Sequence, residues 1–222
     1  MPETHSPTSP TNESSDATPT SRTQKLITLS LWLVLGLVMV GVVVARLIPH
    51  HADMPVLYPA PRFALTDQNG KPFGAADLRR RPYICDFIFT TCGSACPMMS
   101  HKMAQLQKQT PAQLRLVSFT VNPEHDTPAV LKEYAGEYKA DPARWHFLTG
   151  TRQQALDEIH GMKVPYQGAA GADPILHSQK FFLVDGAGNV RGLYDSEDAG
   201  DMKRLVDDAA WLTRQDIKAD KQ

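Results

Sequence analysis

The stretch DFIFTTCGSACPMMS, Asp86–Ser100, carries the features that decide the fold of this 222-residue chain. Its first residues end a nearly continuous apolar run, Tyr83–Phe89, as expected for a central strand covered on both faces. The loop TTCGSAC follows, and Pro97 suits the first turn of a helix, where its missing N–H costs nothing. The pattern therefore predicts a strand, a loop with two cysteines and a helix in direct succession.

Outside this stretch the chain alternates strands with helices. Asn69-Gly70 is a hairpin signal, Thr127 before Pro128 is typical of an N-cap, and Thr151 with Gln154 fits a capping box. Strands are predicted at 63–67, 114–121, 145–148, 177–184 and 190–194, helices at 128–139, 152–161 and 201–218, and a Gly-rich loop at 168–171. The alternation predicts an α/β fold, with helices flanking a central, partly parallel sheet.

Four parts follow one another along the chain. Residues 1–25 are rich in Ser, Thr and Pro and predict a disordered tail. Residues 26–45 carry no charge and are long enough to cross a bilayer, which predicts a transmembrane helix. Residues 46–61 include four prolines and predict a semi-rigid spacer, while 62–222 form one domain with a core of its own.

Flanking charges predict the orientation of the anchor. Arg22 and Lys25 precede the apolar run and Arg46 follows it, so the tail is expected in the cytoplasm and the domain outside. A cleaved signal peptide and a buried core helix are the alternatives. The run is long for a signal peptide, no small-x-small cleavage site follows it, and an uncharged run of this length is rare in soluble cores.

Composition excludes two classes of protein. A formal net charge of -1 leaves no basic excess for binding nucleic acid through bulk electrostatics. Three cysteines in a chain of this length cannot form a disulfide framework.

Cys92 and Cys96 are four residues apart at the predicted strand-to-helix junction. On a helical turn both sulfurs can face one atom, or bond to each other after a local adjustment. The helix N-terminus is expected to lower the pKa of at least Cys96. A thiolate pair is a soft ligand set that selects Cu(I) or zinc, and the alternative is two core cysteines without a role.

Three segments in the same order resemble the Sco/SenC family of membrane-anchored copper proteins, and the resemblance covers the chain from Pro61 onward. They are DFIFTTCGSACPMMS, SFTVNPEHDTPAVLKEYA and HSQKFFLVDGAGNVRGLYD. The resemblance implies a thioredoxin-like fold and a part in building the binuclear copper centre of cytochrome c oxidase. Carried over residue by residue, it makes Cys92, Cys96 and His177 the copper ligands. Two thiolates and one imidazole suit Cu(I), and the imidazole helps the site to accept Cu(II).

The sequence departs from the family pattern at two places near these ligands. Gly93-Ser94-Ala95 stands where the family often has Pro-Asp, and Asn122 stands where an Asp is usual. Glu124, Asp126 and Thr127 of the same segment are kept. The departures remove carboxylates near the site and are expected to tune Cu(II) affinity or redox potential.

Asp86 lies six residues before Cys92, the offset of a buried Asp in thioredoxin sequences. A carboxyl group buried beside a dithiol has a raised pKa and can accept a thiol proton. The alternative is a strand Asp that backbone groups or water satisfy.

Other chemistry-bearing residues are interpreted as structural. Cys85 alternates in phase with Phe87 and is predicted to be a small core residue. Met99 and Met103 share a helical face with Leu106 and are predicted to pack in the core, while Met98 and His101 are predicted to be exposed. Among the other histidines, His50 and His51 belong to the predicted spacer, and no ligand partner is identified for His125, His146 or His160.

Three functions use the same pair of cysteines. The first is a copper chaperone in the bacterial inner membrane, with its domain in the periplasm and the copper-bearing oxidase subunit as partner. The second is a thiol–disulfide oxidoreductase acting on that subunit's cysteines, with thioredoxin-like reductants or other copper carriers as partners. The third is a redox or copper sensor. A peroxiredoxin is disfavoured, because Phe89 and Cys85 stand where that family places Thr and Pro.

Overall fold

The computed structural model describes residues 22–47, 54–93, 95–164 and 179–219. The chain divides into two compact units, residues 1–50 and 51–222. The first unit holds one described helix, α1 (Arg22–Leu47), which begins before the predicted Leu26 and ends after the predicted Ala45. Within it Gln24–Val44 is long and apolar enough to span a membrane, and none of it is buried. The predicted disordered tail lies, up to residue 21, outside the described residues.

A mixed sheet of eight described strands forms the frame of the second unit. In chain order the strands are β1 (Tyr58–Pro59), β2 (Ala64–Asp67), β3 (Pro72–Gly74), β4 (Tyr83–Ile88), β5 (Arg115–Thr120), β6 (Trp145–Thr149), β7 (Lys180–Val184) and β8 (Asn189–Asp195). The order across the sheet is β1-β8-β7-β4-β5-β6-β2-β3. β4 is parallel to β5 and β5 to β6, whereas the other neighbours are antiparallel.

Helices pack against this sheet at the predicted places. Thr127 accepts a hydrogen bond from the backbone N–H of Val130, and Thr151 and Gln154 cap one another reciprocally. Gly70 turns the β2–β3 hairpin with φ +76°. The helices are α2 (Ala95–Gln109), α3 (Pro128–Glu137), α4 (Arg152–Gly161) and α5 (Ala199–Ala219), and a 3₁₀ turn covers Ala75–Leu78. The predicted α/β fold with a partly parallel central sheet is confirmed.

The central strand β4 is buried along its whole length, as its apolar run predicts. Because side chains alternate along a strand, its residues divide between two cores. Ile84 and Ile88 pack in the cluster that includes Cys96 of α2, whereas Cys85 and Phe87 pack in a second cluster. Cys96 is therefore a core residue of the sheet face that α2 covers.

The last part of the predicted spacer packs on the domain. Leu57 donates its backbone N–H to the Val190 carbonyl and Ala60 donates to the Gly188 carbonyl, both at 2.9 Å. Between them Tyr58–Pro59 forms the short edge strand β1, a position that tolerates proline. The sequence did not predict this strand, because its backbone pairing is with β8, far along the chain.

Candidate metal centre

Cys92 lies at the carboxyl end of β4, on a tight turn. The backbone N–H of Cys92 donates to the Phe89 carbonyl at 3.2 Å, which closes the turn Phe89-Thr90-Thr91-Cys92. The Cys92 side chain is half-buried and Gly93 beside it is exposed. Cys92 is thus held at the surface by the end of a buried strand.

Cys96 follows on the first turn of α2. Its backbone N–H donates to the Cys92 Sγ atom at 3.5 Å, and its own side chain is fully buried. Both residues are free cysteines. The predicted approach of the two cysteines at the strand-to-helix junction is therefore seen, with the helix N-terminus aimed at the Cys92 sulfur.

The pKa of Cys96 is raised, so the prediction that the helix N-terminus lowers it is wrong. Burial is the largest cause, partly offset by the Phe89 backbone, and the Cys92 and Asp86 side chains raise the pKa further. The physical reason is the direction of the side chain. The helix N–H group of Cys96 points at the Cys92 sulfur, while the Cys96 sulfur packs in the core with Met99.

Asp86 is fully buried on the sheet face that α2 covers. Burial raises its pKa to about 7, and the neighbouring Ser118 hydroxyl lowers it in part. Neither carboxyl oxygen makes a well-formed hydrogen bond to another described residue. The negative charge of Asp86 also raises the pKa of Cys96, so the two buried groups interact electrostatically.

A second buried carboxylate, Asp126, joins the cysteine turn to the loop after β5. It accepts a hydrogen bond from the Thr90 backbone N–H at 3.2 Å and another from the Thr90 hydroxyl at 2.5 Å. The Thr120 hydroxyl, at the end of β5, also donates to it. Asp126 is fully buried, so these donors replace the water that it would otherwise bind. It is a clamp on the turn that carries Cys92.

His125 lies beside this clamp. Its Nδ1 atom is 3.1 Å from the Asp126 Oδ1 atom and 3.3 Å from the Thr90 Oγ1 atom, and half of its side chain is exposed. The sequence indicates no partner for His125, because Thr90 is 35 residues away along the chain. The retained Asp126 of the PEHDT segment was the only signal that pointed to this cluster.

Asn122 and Glu124 lie in the same loop, and among the described residues their side chains make no hydrogen bond to Asp126. The backbone N–H of Asn122 donates to the Thr120 hydroxyl at 3.0 Å, and the Asn122 carbonyl accepts from the backbone of His125 and Asp126. Glu124 pairs with Arg152 at the surface, at 3.5 Å. Asn122 therefore shapes the loop through its backbone, and its half-buried amide stands where the resemblance leads one to expect a carboxylate.

His177, the third predicted ligand, lies outside the described residues, as do His50, His51 and the predicted Gly-rich loop at 168–171. In the ranges that the structure describes, no group of three His, Cys, Asp or Glu side chains is placed to hold a metal. The described part of the candidate centre is consequently the pair Cys92 and Cys96.

The structure places the residues interpreted as structural where they were predicted. Cys85, Met99, Met103 and Leu106 are fully buried. Met98 and His101 are exposed. His146 stacks on Phe73 at a ring distance of 4.2 Å, and burial lowers its pKa.

A family model described as SCO1/SenC matches residues 58–214 of the chain. The SCO1 protein homolog of Bacillus subtilis is 35% identical over 141 residues, which cover 61% of this chain and 73% of that protein. A protein of Stutzerimonas stutzeri, named as copper-binding, is 37% identical over 139 residues, which cover 60% of this chain and 67% of that protein.

A solved structure with the same fold is that of BsSco, described as a member of the Sco family of cytochrome c oxidase assembly proteins with a disulfide switch. It is 29% identical in sequence, with a TM-score of 0.64, and the match covers 72% of this chain and 96% of that one. The fold is accordingly thioredoxin-like, with its mixed sheet flanked by helices.

Proposed function

We propose that this chain, which belongs to the SCO1/SenC family, binds copper and delivers it to, or prepares, the binuclear copper centre of cytochrome c oxidase. The observation that carries the proposal is the pair of free cysteines at the β4–α2 junction, inside the matched range, with Cys96 N–H donating to Cys92 Sγ. Relatives named for copper binding and for oxidase assembly support the same role.

Cys92, Cys96 and His177 are the proposed copper ligands, and copper is the cargo. Two thiolates and one imidazole form a soft set that suits Cu(I), while the imidazole also admits Cu(II). The two cysteines have different parts. Cys92 is half-buried and is the sulfur that an incoming or departing ion meets first, whereas Cys96 is buried and fixed by the core.

The proposed location is the bacterial inner membrane, with the N-terminus in the cytoplasm and the domain in the periplasm. The apolar helix Gln24–Val44 has the length and composition to serve as the anchor. Arg22 and Lys25 precede its uncharged run, residues 26–45, on the side proposed to stay in the cytoplasm. In this orientation the domain lies in the periplasm, an oxidising compartment in which disulfides form and persist.

A thiol–disulfide oxidoreductase is the second candidate, and the contrast between the two cysteines favours it. The Cys92 thiolate attacks one sulfur of a substrate disulfide and releases the other as a thiolate. The Cys96 thiolate then attacks Cys92 Sγ, which frees the second substrate thiolate and leaves a Cys92–Cys96 disulfide. Asp86, with its pKa raised to about 7, is proposed to accept the Cys96 proton. A thioredoxin-like reductant would then restore the dithiol.

Copper titration of the full chain in detergent tests the proposal. Cu(I) and Cu(II) are added to wild type and to His177→Ala, and disulfide reductase activity is measured in parallel. We expect one copper per chain in wild type, weaker binding in His177→Ala, and unchanged reductase activity in that variant. Stoichiometry well below one, or a variant that binds copper as wild type does and keeps its reductase activity, would exclude the copper-delivery role.

A further inference from the structure

The hydrogen bonds around Asp126 indicate which nitrogen of the His125 ring donates. The Thr120 hydroxyl accepts the N–H of Asn122, so its own proton goes to Asp126. The Thr90 hydroxyl lies 2.5 Å from Asp126 Oδ1, and a carboxylate accepts but does not donate, so this proton also points at Asp126. The two neighbours of the His125 ring, the Asp126 carboxylate and the Thr90 hydroxyl, therefore present only lone pairs to it.

The Nδ1 atom of His125 must then be the donor. It lies 3.1 Å from Asp126 Oδ1 and 3.3 Å from Thr90 Oγ1, and neither acceptor has a proton left to offer. A neutral imidazole with its proton on Nδ1 has its lone pair on Nε2. A carboxylate that holds the Nδ1 proton in this way is the usual support of a histidine that binds a metal through Nε2.

The position of the ring relates it to the cysteine turn. Thr90, which contacts His125, is the second residue of the turn that Cys92 closes through its bond to Phe89. Half of the His125 side chain is exposed, and Cys92 is the more exposed of the two cysteines. A copper ion that reaches or leaves the pair must pass on the side of Cys92, because Cys96 is fully buried.

We propose that His125 is an auxiliary copper ligand, which binds Cu(I) through Nε2 while the ion moves on or off Cys92. The inference rests on the proposed copper-delivery function. In the exit step the Cu–S bond to Cys92 breaks and a Cu–N bond to His125 forms. Copper stays Cu(I), Cys92 leaves as a thiolate, and no electron is transferred. Imidazole nitrogen binds copper readily but less softly than thiolate, which suits a transient contact.

The test is the rate at which Cu(I) leaves the full chain, in detergent and loaded with one equivalent, for excess bicinchoninate. His125→Asn is the decisive variant, because its side-chain amide can still donate to Asp126 but has no atom in the place of Nε2. His125→Ala removes both functions. His101→Asn is the matched control, since His101 is also exposed but packs edge-to-face on Tyr138.

We expect His125→Asn and His125→Ala to slow the transfer by about five-fold or more, with copper stoichiometry unchanged and His101→Asn equal to wild type. Transfer at the wild-type rate in His125→Asn would overturn the inference, and slowing in His125→Ala alone would assign His125 to the clamp. An equal effect of His101→Asn would also overturn it. If wild type binds no stoichiometric copper, the proposed function itself fails, and the stoichiometry measurement shows this separately from the rate.

Discussion

The backbone N–H of Cys96 donates to the sulfur of Cys92 at 3.5 Å. This N–H group on the first turn of α2 therefore contacts the sulfur of Cys92 and not that of Cys96. The two cysteines are not equivalent in this fold, because Cys92 is half-buried at a surface turn before α2 while Cys96 is packed in the core. The asymmetry bears on metal exchange and on disulfide chemistry alike.

The first prediction concerns thiol reactivity. In the reduced, copper-free full chain at neutral pH, iodoacetamide should modify Cys92 at least about ten-fold faster than Cys96, because burial limits access and raises the pKa of Cys96. Mass spectrometry of timed, quenched samples gives both rates. Cys92→Ser and Cys96→Ser provide the single-thiol controls, and a faster Cys96 would contradict the assignment.

The second prediction concerns Asp86 and pH. Its carboxyl pKa rises from 3.8 to about 7 on folding, so the folded state binds the proton more tightly than the unfolded state does. The stability associated with this group is fully present below pH 3.8 and is lost as pH rises to about 7. The unfolding free energy of wild type minus that of Asp86→Asn should fall by on the order of 4 kcal/mol across this window and stay flat above it.

Urea denaturation of both proteins at several pH values measures this difference. Glu158, whose pKa burial also raises to about 7, is present in both proteins and cancels. A difference that does not change between pH 4 and pH 8 would show that Asp86 is not protonated preferentially in the folded state.

The third prediction concerns the Asp126 clamp. Asp126→Ala leaves the hydroxyls of Thr90 and Thr120 without their acceptor and should lower the unfolding free energy by on the order of 3 kcal/mol. The amide of Thr90 should also exchange its hydrogen faster, because it loses its partner. The comparison is Glu124→Ala, which breaks an exposed ion pair with Arg152 and should cost less than about 1 kcal/mol. If the two variants lost the same unfolding free energy, Asp126 would not act as a clamp.

The fourth prediction separates Cys85 from the copper pair. Cys85 is fully buried in the cluster on the other face of the sheet from Cys96. Cys85→Ala should therefore leave the Cu(I) stoichiometry unchanged and lower stability by about 1 kcal/mol through the lost packing. Loss of copper binding in a variant that still shows the wild-type circular dichroism spectrum would make Cys85 a ligand.

Local features of the sequence were enough to predict the framework. The apolar run Tyr83–Phe89, the caps at Thr127 and Thr151, and the Asn69-Gly70 turn each depend on residues a few positions apart, and the structure has each of them. The cysteine pair after the central strand is of the same kind, since a spacing of four residues at the start of α2 brings the Cys96 N–H group to the Cys92 sulfur.

Only the tertiary structure decided the burial and the hydrogen-bond partners of the residues at the site. The sequence could not show that Cys96 is buried and has a raised pKa, or that β1 pairs with β8. Nor could it show that Asp126 reaches across 36 residues to hold Thr90, with His125 beside it. Exposure and pKa depend on which distant side chains exclude water and which distant donors point inward. Spacing within a segment carries the geometry of a turn, whereas the environment of a thiol or an imidazole is set by segments that meet only when the sheet forms.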